Sequence, residues 1–294
     1  MKKSSIFKIS FVIISFFLLS SCAEPLKNGD KTFVTSFYPA YVAALNVTDG
    51  VPNVNLVNMT PNATGCLHDY QLTTENLKSL NDAELFILNG KGMETFMDSV
   101  LTNFPDLNIF QAADGIGEET DPHIFTSVTL YIEYVKNIST AIIQSDPDNK
   151  ALYEQNTTTY LDKLNVLKAE MMAALELPET HSLMIFSEAF EYFADEFDFE
   201  LLNADCHDHS HEHEAEEAYT AHYIIELIEI IKDNNCKFIF AEPASDDPVI
   251  TTISKETNTK ILILDPCTTK VYEGKDAYIL AMKHNIKTLT EALK

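Results

Sequence analysis

Four short stretches of this 294-residue chain carry side chains suited to holding a cation. Gly65-Cys66-Leu67-His68-Asp69-Tyr70 falls in a loop between a predicted strand and a helix starting near Thr74. In Asp121-Pro122-His123-Ile124-Phe125 the proline fixes the backbone just before a helix. Phe186-Ser187-Glu188-Ala189-Phe190 is a strand end running into a helix, and Leu264-Asp265-Pro266-Cys267 places an acid at the exit of the last predicted strand. Open α/β sheets collect ligands at such strand exits. Two imidazoles and one or two carboxylates meeting between lobes make a closed site for a divalent transition metal. A surrounding shell of hydrogen bonds then orients the imidazoles. The candidates lie tens of residues apart, so the fold must bring them together.

A fifth stretch, from Cys206 to Glu214, has His207, His209, His211 and His213 at alternate positions. Imidazoles at that density hold borderline cations weakly and several at a time. Capture of zinc near the mouth of the site is the preferred reading, with a solvated loop as its alternative. His181, His222 and His284 read as structural, and Glu242 as a strand-ending residue that binds backbone.

The elements that must position these groups begin after an export signal. Residues 1–21 have a lysine-bearing start, an apolar run from Ile9 to Leu19 and a small-residue exit, too short to span a bilayer comfortably. Leu19-Ser20-Ser21-Cys22 looks like a bacterial lipobox, in which Cys22 is acylated and a tether over 22–30 holds the body at a membrane surface outside the cytoplasm. The chain has 45 acidic and 20 basic residues, a formal charge of −25, and no arginine. With no guanidinium to fork onto phosphate, nucleic acid is a poor partner and a cation a good one. Cys66, Cys206, Cys236 and Cys267 match no zinc-ribbon spacing, and their disulfide state stays open.

Strand and helix patterns alternate over 31–147: strands at 31–37, 54–59, 83–88 and 108–112, helices at 40–47, 74–80, 93–102 and 127–143. A long helix over 148–176 follows Asp146-Pro147. Past Pro178 the alternation resumes, with strands at 183–186, 199–202, 237–240 and 261–264, and helices at 190–197, 217–232, 248–257 and 276–293. The expected fold is α/β, with two lobes (31–147 and 177–294), each a parallel-type sheet with flanking helices, linked by one long rigid helix.

The ordered set of HDY, LNDAELFILNGKGMETFMD, DPHIF, SEAFEYFA, FIFAEPASDD and LDP resembles the metal-receptor lipoproteins of bacterial zinc and manganese ABC importers. The likeness runs from about Lys31 to the C-terminus. It implies two lobes on one long helix, and it implies that His68, His123 and Asp265 are metal ligands. Zinc-type members usually show His, and manganese-type members Glu, at the position that is Ser187 here. Serine is a poor zinc ligand. Either Glu188 swings in, or a water or a neighbouring residue completes the site, and Glu188 is the preferred candidate. Cys66 and Cys267, each two residues from a proposed ligand, are alternatives against a plain reading as buried thiols or a disulfide. The His-rich loop of relatives usually precedes the DPH motif, whereas here it falls in the C-terminal lobe.

The function so implied is capture of one divalent metal, zinc first and manganese second, and its delivery to an ABC permease driven by a separate ATPase. No catalytic step is expected. A zinc hydrolase would want an open metal position beside a general base, and the chain has no HExxH helix. A surface adhesin is the third possibility, distinguished by binding that survives metal depletion.

Overall fold

The computed structural model describes residues 30–60, 67, 70–176, 182–202, 221–243 and 247–293. The signal segment, Cys22, Cys66, His68, His181 and the His-rich stretch 206–214 lie outside them.

The first lobe is built on β1 (Lys31–Thr35), β2 (Val54–Asn58), β3 (Leu85–Leu88) and β4 (Ile109–Gln111), parallel throughout in the order β2-β1-β3-β4. The register sets Phe33 opposite Leu56 and Leu85. β3 reads LFIL and is buried along its whole length, as an interior strand covered on both faces requires. Helices α1 (Tyr38–Val47), α2 (Thr74–Ser79), α3 (Met97–Asn103) and α4 (Val128–Ser145) flank it. α1 starts two residues earlier than the sequence suggests because Pro39, in its first turn, has no amide hydrogen for a helix to miss there. α2 is closed by a capping box: Asn76 N–H donates to Thr73 Oγ1 at 3.3 Å, and Thr73 N–H to Asn76 Oδ1 at 2.8 Å.

Helix α5 (Lys150–Leu175) has 26 residues, a rod of about 39 Å. Its buried residues Tyr153, Thr157, Tyr160, Leu164, Leu167, Met171 and Leu175 recur every three or four positions along one stripe. Asp146 fixes the turn between α4 and α5 by accepting from Asn149 and from the Tyr153 hydroxyl, each at 2.7 Å.

The second lobe contains β5 (Ser182–Leu183), β6 (Ile185–Phe186), α6 (Glu191–Phe197), β7 (Glu200–Leu201), α7 (Ala221–Asp233), β8 (Phe238–Ala241), α8 (Pro248–Thr257), β9 (Lys260–Ile263) and α9 (Ala277–Ala292). The strand expected over 183–186 changes partner at Met184. β5 pairs with β7, while β6 joins a parallel sheet in the order β6-β8-β9. A hydrophobic run shows where a strand is, but not that its neighbour changes midway.

One hydrophobic core runs through both lobes, from Phe33, Phe86 and Tyr131 to Phe190, Phe193, Leu264 and Tyr278. Tyr131 of α4 stacks on Tyr278 of α9 with ring centroids 3.8 Å apart. α9 also returns toward the first lobe through Lys163–Asp276 (2.9 Å) and Lys283–Glu170 (2.9 Å) on α5. A smaller core of Met184, Phe186, Leu227, Ile231, Ile239, Ile250 and Ile253 fills the far side of the second lobe.

Candidate metal centre

Glu188 and Asp265 sit just past the carboxyl ends of β6 and β9, while His123 stands in the longer loop that follows β4. His123 lies beyond β4, is 7% exposed, and precedes a 3-10 turn over Ile124–Thr126. Its local sequence fixes its ring. Asp121 Oδ1 accepts the His123 backbone N–H at 2.8 Å and stands 2.9 Å from Nδ1. A carboxylate accepting from Nδ1–H leaves the lone pair on Nε2, the arrangement a metal-binding imidazole needs.

The segment ahead of His123 is anchored from the sheet. Asn89 Nδ2 donates to the Pro122 carbonyl at 2.9 Å. The Asn89 and Gly90 amides in turn donate to Glu94 at 2.7 and 3.0 Å, and Ser36 Oγ donates to the same carboxylate at 2.6 Å. Burial pushes the Glu94 carboxyl up, against those hydrogen bonds, which favour its charge. The segments that leave β1 and β3 are thereby tied to the histidine loop that follows β4.

The second lobe presents carboxylates. Glu188 opens a short 3-10 turn whose end is capped by Ser187, with Ala189 N–H donating to Ser187 Oγ at 3.1 Å. Glu188 Oε1 lies 4.0 Å from His123 Nε2. Donors on one tetrahedral zinc at ~2.0–2.1 Å are about 3.3 Å apart, so a small closure lets this pair share an ion. Asp265 follows β9. Asn285 of α9 clamps it, accepting from its N–H at 2.7 Å and donating to its carbonyl at 2.8 Å. Its Oδ1 accepts from Cys267 N–H at 2.7 Å. Its Oδ2 is buried and has no hydrogen-bond partner among the described residues. An orphaned buried carboxylate oxygen is costly in a finished structure and ordinary in a site that receives a cation. Burial pushes the Asp265 carboxyl up, while the Cys267 amide and His284 pull it down.

Glu242 departs from the sequence-based expectation. It does leave a strand, β8, but its carboxylate accepts the Ser187 hydroxyl at 2.5 Å rather than backbone. It lies within electrostatic reach of His123, Glu188 and Asp265, and burial pushes its carboxyl up, followed by the opposing Ser187 bond. The signal that could have placed it is its position at the exit of a central strand beside two other acidic exits. Cys267 is a buried free thiol at φ +63°, and burial pushes it well above its ordinary value. His284 Nε2 lies 3.2 Å from the Ile263 carbonyl, in keeping with a structural role. Among the described residues no three His, Cys, Asp or Glu side chains already form a closed metal cluster.

A helix joins the two halves of the site. Glu118 N–H donates to the Tyr192 hydroxyl of α6 at 2.7 Å, and that hydroxyl reaches the Glu118 and Asp121 carbonyls at 3.3 and 3.4 Å. Gly117, at φ +60°, admits this ring; a Cβ there would fall 2.6 Å from the tyrosine oxygen. One turn on, Glu196 caps α4 of the other lobe, accepting from Ser127 Oγ at 2.6 Å, from Thr129 N–H at 3.2 Å and from the Thr129 hydroxyl. α6 therefore sets the spacing between the Glu188 turn and the His123 loop.

Comparison with known proteins agrees with this architecture. The family model described as zinc-uptake complex component A, periplasmic (ZnuA), matches residues 33–292. The zinc-binding lipoprotein AdcA of Streptococcus pneumoniae serotype 4 is 25% identical over 316 residues, covering 99% of this chain, which spans only 61% of that longer protein. The high-affinity zinc uptake system protein ZnuA of Bacillus subtilis is 28% identical over 316 residues, covering 96% of each. The laminin-binding protein Lmb of Streptococcus agalactiae, a structure described as having adhesin and metal-transporting activity, superposes with a TM-score of 0.76 at 22% identity, over 90% of this chain and 100% of that one.

Proposed function

The chain belongs to the family of periplasmic zinc-uptake complex components, and from that membership we propose that it is an extracytoplasmic receptor that captures one divalent transition metal and delivers it to an ABC permease driven by a separate ATPase. Zinc is the first choice of ion. The ligands are His68 and His123 from the first lobe and Glu188 and Asp265 from the second. Acylated Cys22 holds the body to the membrane, and His207, His209, His211 and His213 gather ions near the mouth. The observation that supports it is the approach of His123 Nε2 to Glu188 Oε1 at 4.0 Å across the lobes, with the Asp265 carboxylate within electrostatic reach of the same neighbour, Glu242.

The family's business is metal transport, and we assign the chain no catalytic step. The protein contributes binding and orientation: Asp121 keeps Nε2 of His123 available, and Asn285 fixes the backbone of Asp265 while the Cys267 amide holds its carboxylate. Because the described side of the site has more carboxylates than imidazoles, manganese is the second reading.

Calorimetric titration of the soluble mature protein with zinc and with manganese tests this. One tight site is expected, preferring zinc, and lost in His68→Ala and in His123→Ala. Deleting residues 206–214 removes weak additional zinc uptake only. Tight binding that survives both histidine substitutions contradicts the assignment.

A further inference from the structure

The residue that leaves β6 toward the site is Ser187, and its hydroxyl is already committed. It accepts from Ala189 N–H at 3.1 Å and donates to Glu242 Oε1 at 2.5 Å. A neutral hydroxyl so engaged is a poor donor to a divalent cation, whereas the carboxylate it holds is a good one. None of the described residues hydrogen-bonds Glu242 Oε2, and no lysine stands among the charges that act on the group.

Topology adds an independent constraint. The sheet order β6-β8-β9 places β8 between the two strands that lead to Glu188 and Asp265. Glu242 directly follows β8. An ion shared by Glu188 and Asp265 therefore sits over the exit of the strand that carries Glu242. Three carboxylates from neighbouring strand ends repel one another unless a cation lies between them.

We propose that Glu242 is itself a metal ligand, presented from β8 by the Ser187 hydroxyl in the place where residue 187 offers no ligand of its own. Glu188, with its side chain 27% exposed, is then the outer carboxylate of the same site. The inference rests on the metal-receptor reading above and adds a residue to it. Zinc accommodates the added donor by expanding to five ligands, and a manganese sphere has room for it.

The test is zinc competition titration and zinc X-ray absorption on Glu242→Gln, with Ser187→Ala and His123→Ala beside it. Glutamine has the same shape and still accepts the Ser187 hydroxyl, so the metal-free fold should melt no lower than the parent. Zinc affinity should fall by more than about 100-fold, beyond the 10–100-fold usual for a group that only orients a ligand. The absorption spectrum of the variant loaded in excess zinc should show an altered coordination sphere. Ser187→Ala should cost less than Glu242→Gln, because the carboxylate remains. Affinity within about 100-fold of the parent with an unchanged coordination sphere overturns the proposal and leaves Glu242 as a positioning group. If His123→Ala loses zinc while Glu242→Gln does not, only this inference fails. If both retain tight zinc, the receptor reading fails with it.

Discussion

At the scale of single residues, the site is a set of acidic groups held short of full satisfaction. Burial raises the carboxyl groups of Asp265 and Glu242 above their ordinary values of 3.8 and 4.5. The sign follows from linkage. In the metal-free protein both carboxyls bind protons more readily folded than unfolded, so their charges burden the fold fully above the raised values. That burden lifts as pH falls through them and vanishes below the unfolded values. Bound metal reverses the preference by favouring the ionised form, and protons compete with it for the imidazoles as well. The rise in melting temperature on adding zinc should therefore be smaller at about pH 5 than at about pH 7.5. A rise that is equal or larger in acid contradicts the assignment of these carboxylates to the metal.

Much of this residue set is legible in the amino-acid sequence. His123 and Asp265 are each flanked by proline, Asp265 at a strand exit and His123 just before a helical turn, and Asp121 lies two residues from the ring it orients. Glu242 escapes a local reading because its partner, Ser187, is 55 residues away and nothing nearby advertises the pairing. The support from Glu94 through Asn89 to Pro122 is hidden for the same reason, since Asn89 and Pro122 are 33 residues apart and meet only through the fold. His68 and the His-rich stretch lie outside the described residues, and their roles rest on the reading of the sequence.

At the scale of elements, α6 matters beyond its seven residues. It begins directly after the Glu188 turn, and its Tyr192 and Glu196 grip the segments on either side of His123. Replacing Glu196 with alanine removes the acceptor for the Thr129 amide and for two hydroxyls at the start of α4. The expected loss of stability is about 1–3 kcal/mol, readable by urea denaturation. A change below about 0.5 kcal/mol would place Glu196 among ordinary surface residues and contradict its role as the cap of α4. Helix positions are the readable part of the sequence, because apolar spacing and caps such as Ser127 are local signals. The split of the 183–186 strand is not readable there, since partner choice depends on where distant chain segments pack.

At the scale of the whole molecule, the continuous core is the feature that makes the site possible. Tyr131, Tyr160 and Tyr278 are fully buried where α4, α5 and α9 meet, and the lobes share these helices rather than swinging on a loose linker. The two-lobe α/β plan with a long connector is legible from the alternation of patterns and the uninterrupted stripe on α5. The return of α9 onto α5 is not, because no periodicity records which helix a C-terminal segment meets. The acidic charge of −25 suits a cation receptor and adds long-range attraction for the ion.

The most direct test is a crystal structure of the zinc-loaded mature protein with anomalous data at the zinc edge. One dominant peak is expected between the lobes, within ~2.0–2.2 Å of both His123 Nε2 and Asp265 Oδ2. A dominant peak elsewhere, with both atoms free of metal, would contradict the account.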